Sequence, residues 1–128
     1  MANCYKIFVF VPVSHADGVR QVIGEAGAGA IGNYTHCTFS TRGIGRFKLE
    51  AGANPTIGEV VKIEEVEEER IETICTKDQL AEVIAAIKKV HPYEEPPIDV
   101  LPMEDFGIRF GGQLKGSIRI AKDFDFHL

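Results

Sequence analysis

A helix-like run that ends in His91-Pro92-Tyr93-Glu94-Glu95-Pro96-Pro97 is the strongest constraint in this sequence. Pro92 has no backbone donor and pushes His91 out of helical φ/ψ, so a helix must stop there and the chain must leave it extended. Lys88 and Lys89 fall in the last turn, where cations suit the negative end of the macrodipole. Pro96 and Pro97 open a following strand and Pro102 closes it. A strand fenced in this way belongs at a sheet edge. Edges offer backbone groups to a partner unless something covers them. His91, Tyr93, Glu94 and Glu95 are thereby placed beside an assembly surface. They read either as a small-ligand or metal site or, more plainly, as a helix stop with a packed tyrosine and solvated glutamates.

The remaining periodicities fill in the architecture. Tyr5 to Pro12 is apolar on both faces and reads as a central buried strand. Ser14 with Asp17 predicts a capped helix whose buried stripe is Val19, Val22, Ile23 and Ala26, ended by Gly27 in the left-handed C′ position. The glycine-rich stretch Ala28 to Asn33 follows a helix and precedes a strand. Phosphate loops run the other way, into a helix N-terminus. Tyr34 to Thr41 predicts a strand with Tyr34, His36 and Thr38 on one face and Thr35, Cys37 and Phe39 on the other, so His36 and Cys37 do not chelate one ion together.

Arg42 to Leu49 reads as a short return strand, and the acidic run Glu64 to Glu69 as the solvated end of a hairpin. Arg70 to Cys75 is a strand with Ile71, Thr73 and Cys75 on one face. Thr76 and Gln79 form a capping box for a second helix, whose stripe is Leu80, Val83, Ile84 and Ile87. Ile98 to Leu101 is the last strand before a tail, residues 104–128, whose alternating apolar runs predict docking on its own domain or on a neighbouring subunit. With the extra hairpin of residues 42–68 set aside, the order is strand, helix, strand, strand, helix, strand. This is an α+β, ferredoxin-like antiparallel sheet with two helices on one face, over residues 1–103.

Composition excludes several classes. The 128 residues carry a net charge of −5 and no basic tract, which argues against nucleic acid and anionic membranes as partners. No stretch approaches the ~20 apolar residues of a membrane helix. Ile7 to Val13 reads as the first strand and not as an export signal. The three isolated cysteines, Cys4, Cys37 and Cys75, fit a reducing cytoplasm.

Several runs occur together and in order: Phe10-Val11-Pro12-Val13, Ala26-Gly27-Ala28-Gly29, Ile31-Gly32-Asn33-Tyr34, His36-Cys37, Phe39-Ser40, Gly43, Gly45, Phe47, Asn54-Pro55, Ile57-Gly58, Glu72-Thr73 and His91-Pro92-Tyr93-Glu94-Glu95. This set, from about Tyr5 to Met103, resembles the YqfO-type domain inserted in the larger Nif-three-like proteins and its free-standing relatives. The His-Pro-Tyr-Glu turn also resembles that of CutA-type proteins. The resemblance implies a PII-like domain that assembles as a homotrimer. It carries over no enzyme, because the two-metal lobes of the larger relatives have no counterpart here.

It also suggests a ligand-binding set of Asn33, Tyr34, His36, His91, Tyr93, Glu94 and Glu95. A divalent metal ion is the cofactor to test, on His36, His91 and Glu94 or Glu95. The functional expectation is a non-catalytic, homo-oligomeric binding or assembly module. Its alternatives are a CutA-type metal binder and, by analogy with the larger relatives, a nucleotide hydrolase.

Overall fold

The computed structural model of the chain describes residues 3–50 and 62–104. The order is β1 (Cys4–Pro12), α1 (Val13–Glu25), β2 (Phe39–Lys48), β3 (Ile63–Thr76), α2 (Leu80–Val90) and β4 (Ile98–Met103), with a 3₁₀ turn at Lys77–Gln79 leading into α2. The sheet order is β2-β3-β1-β4 and every neighbouring pair is antiparallel. This is the ferredoxin-like arrangement expected from the alternation of elements, with β4 on the edge where its prolines place it. The expectations for the tail lie outside the described residues, since these stop at Glu104.

Alternation along β1 decides where the core sits. Ile7, Val9 and Val11 are fully buried on one face, with Ile71 and Cys75 of β3 beside them. Against that face pack Ala16, Val19 and Ile23 of α1 and Val83 and Ile87 of α2. Each helix supplies one apolar stripe at i, i+3, i+4 spacing, so both lie on the same side of the sheet. The opposite face carries Lys6, Phe8 and Phe10 of β1, Arg70 and Glu72 of β3, Asp99 and Leu101 of β4, and Phe39 of β2, as the register aligns them. At one end of it Ile31 packs over Cys4, Ile74 and Met103.

Three local readings need correction. Helix α1 begins at Val13, with Pro12 in the cap position and no side-chain cap, and Ser14 Oγ bonds His15 Nδ1 at 2.8 Å instead. The predicted strand over Tyr34 to Thr41 begins only at Phe39. Before it Ile31 and Tyr34 pair across a two-residue turn, and His36 adopts a φ of 60°. No return strand starts at Arg42: one ladder runs unbroken from Phe39 opposite Glu72 to Lys48 opposite Ile63, so the extra hairpin is a continuation of β2 and β3.

Other expectations hold. Gly27 takes a φ of 101° one residue past the C-cap of α1. Thr76 and Gln79 form the capping box, with the Thr76 N–H donating to Gln79 Oε1 at 3.1 Å.

Candidate functional site

The proline turn after α2 folds back over the C-terminal end of β1. His91, 7% exposed, donates from Nε2 to the Phe10 carbonyl at 2.7 Å and accepts at Nδ1 from the Tyr93 N–H at 3.2 Å. A carbonyl only accepts and an amide N–H only donates, so the ring is fixed as the neutral Nε2–H tautomer. Burial lowers the His91 pKa below the ordinary imidazole value, against the opposing pull of the Phe10 carbonyl and the nearby Glu68. Both ring nitrogens are committed to the backbone. His91 is therefore the hinge pin of the turn, and no lone pair is left for a metal.

What the turn positions is Tyr93. Its ring lies 5.0 Å from that of His91 and makes an edge contact with Phe47 of β2, centroids 6.1 Å apart. Its hydroxyl donates to Glu68 Oε2 at 2.6 Å. Burial, then the bond and charge of Glu68, raise the Tyr93 pKa above the ordinary phenol value, so the hydroxyl is a fixed donor. Glu68 is 8% exposed, against the expectation that the acidic run is solvated. Gly45 makes its position possible, because a Cβ there would stand 2.2 Å from Glu68 Oε1. Phe10, Gly45, Phe47, Glu68, Tyr93 and Glu94 line a cleft of about 380 Å³, with Arg46, Leu49, Glu95 and Pro97 completing its walls.

The sequence-derived set divides. Tyr93, Glu94 and Glu95 share the cleft, and His91 supports it from behind. Asn33 and Tyr34 lie exposed at the Ile31–Tyr34 turn and line no part of it. His36 bonds Thr35 Oγ1 through Nδ1 at 3.0 Å and lies over Gly24, where a Cβ would strike its ring at 1.9 Å. Gly24 is close to the far end of α1 from Phe10, roughly 16 Å along the helix axis. One chain therefore does not bring His36 and His91 together, and among the described residues no three His, Cys, Asp or Glu side chains converge on a metal-sized point.

Glu68, Gly45, Phe47 and Phe10 were not selected from the sequence. The available signal was Gly43 and Gly45 alternating on one face of β2, which leaves room for a side chain from the neighbouring strand.

No protein-family model matches the chain. It is 52% identical over 109 residues to a GTP cyclohydrolase 1 type 2 homolog of Halalkalibacterium halodurans, a match that takes in 85% of this chain and 29% of that protein. The chain thus spans less than a third of the length of this curated relative. Among solved structures, a Bacillus cereus protein related to NIF3 superposes with a TM-score of 0.71 and 46% identity, over 81% of this chain and 26% of that one. The periplasmic divalent cation tolerance protein CutA from Archaeoglobus fulgidus superposes with a TM-score of 0.60 over 80% of this chain and 85% of its own, at 21% identity, a likeness of fold.

Proposed function

We propose that this chain, homologous to one segment of the NIF3-related GTP cyclohydrolase 1 type 2 homologs and folded like CutA, is a non-catalytic, homo-oligomeric binding module of the cytoplasm. The cleft under Tyr93 is its ligand site. The observation that carries the reading is the sheet face that no helix among the described residues covers. Phe39 is 62% and Leu101 44% exposed there, with Phe8 and Phe10 half-buried between them. Arg70 and Lys6 flank the Phe8 ring at 5.8 and 5.9 Å and share Glu72 at 3.1 and 3.3 Å, so these three charges are held among themselves and leave the aromatic surface beside them available.

A stable interface removes on the order of 1,200–2,000 Å² from water. A second copy seated on this face is the occupant that supplies it, and the PII-like build implied by the resemblance supports a count of three. The side chains of the site support the non-catalytic reading. Its histidine is committed to the backbone on both nitrogens, and Tyr93 is held as a donor by Glu68. Among the described residues no nucleophile–base pair lines the cleft. The cytoplasmic assignment draws on the three cysteines being isolated in the sequence, at Cys4, Cys37 and Cys75. No helix among the described residues is long and apolar enough to cross a membrane.

Light scattering on a size-exclusion column tests the assembly. The expected mass at micromolar concentration is three times the 14.1 kDa of the chain. A monomer at that concentration overturns the reading.

A further inference from the structure

We infer that the cleft between β2 and the Pro92 turn takes a small organic cation, a primary ammonium or guanidinium group held by Glu68 with its alkyl stem against Phe10 and Phe47. The inference rests on the assignment of this cleft as the ligand site and names the ligand's chemical class. Its basis is the pairing of the β3 carboxylates. Glu65 has Arg46 at 3.2 Å, Glu72 has Lys6 and Arg70, and the buried Glu69 has both Arg20 and Arg42. Glu68 is buried as deeply as Glu69, and among the described residues it has no cation. Its one hydrogen-bond partner there is the neutral Tyr93 hydroxyl.

A buried carboxylate loses hydration that a lone hydroxyl does not restore, and an incoming cation restores it. The walls suit the same guest. Phe10, Phe47 and Tyr93 supply aromatic surface beside the carboxylate, and aromatic faces attract ammonium and guanidinium groups. Glu94 and Glu95 at the rim add charge of the same sign as Glu68. An anion would meet three carboxylates and one arginine already paired with Glu65. A bare divalent metal would want several oxygen donors on one point, and among the described residues no three such groups converge. A neutral apolar guest would leave Glu68 as it is.

The experiment titrates the full chain with butylammonium and butylguanidinium, and separately with n-butanol and butyrate, following amide signals of Gly45, Phe47 and Tyr93 by NMR. Both cations are expected to give saturable, mutually competitive shifts, with the alcohol and the anion at least about tenfold weaker. Glu68→Gln should weaken cation binding by about tenfold or more while the mass by light scattering stays that of the wild type. Equal response to cation and alcohol, or undiminished binding by Glu68→Gln, overturns the inference. Should Glu68→Gln fail to fold, Gly45→Ala displaces the Glu68 carboxylate instead, and undiminished binding by that variant is equally fatal. A monomer that binds cations selectively overturns the assembly reading and leaves this one standing. A trimer blind to cations overturns this one alone.

Discussion

His91 shows how one side chain is made structural by what it touches. Removing its ring leaves the Phe10 carbonyl buried and unpaired, so His91→Ala should cost about 2 kcal/mol in urea denaturation. The pH dependence has a definite sign. The folded-state pKa lies below that of the unfolded chain, so the unfolded state takes up the proton first as pH falls. The contribution of neutral His91 is complete above the unfolded value of about 6.5 and drains away as pH drops from there toward the lowered folded value. Urea midpoints between pH 7.5 and pH 5.5 should therefore fall in the wild type and fall less in His91→Gln, and parallel slopes would refute this.

The same turn marks what a sequence reveals at the level of single residues. His91, Tyr93, Glu94 and Glu95 were legible because proline fixes the backbone around them, whatever the rest of the chain does. Glu68 was not. Its burial depends on which glutamate the β2–β3 register sets beside Gly45, and that is a relation between strands. His36 was misplaced because alternation was extended through a segment where the backbone takes a left-handed residue.

Helix starts illustrate the same division among elements. Thr76 and Gln79 satisfy each other's backbone reciprocally before α2, an arrangement local enough to read from four residues. Ser14 has the right chemistry for a cap, yet β1 pairs as far as Pro12 opposite Glu68 and hands over to helix at Val13, so the cap position is spent before Ser14 is reached. Long-range pairing took precedence over local preference. Thr76→Ala is accordingly expected to lower stability by about 1 kcal/mol, and Ser14→Ala to stay within about 0.5 kcal/mol of the wild type. Chemical denaturation of the two variants side by side checks this, and a Ser14→Ala loss as large as that of Thr76→Ala would show that the Ser14 hydroxyl caps the helix in solution.

For the whole molecule, stability and assembly are one quantity if the open sheet face is an interface. Both helices lie on one side of four strands, and a single layer of helices covers only half of a sheet's surface. Leu101, on the edge strand and 44% exposed, is a position where a neighbouring copy buries apolar surface and where a charge does little harm to the isolated chain. Folding coupled to trimer formation makes the melting temperature depend on concentration. A hundredfold increase in protein favours the assembled state by about 2 kcal/mol per chain, worth roughly 7 °C in a domain of this size. Leu101→Glu puts a desolvated charge into every seam while leaving the helix-side core intact, since the residue lies on the face away from the helices, opposite Lys6. The variant should run as a monomer by light scattering, melt lower than the wild type at high concentration, and lose the concentration dependence. A wild type whose melting temperature is constant from 1 to 100 µM, or a Leu101→Glu chain that still associates, would place the subunit contact elsewhere on the molecule.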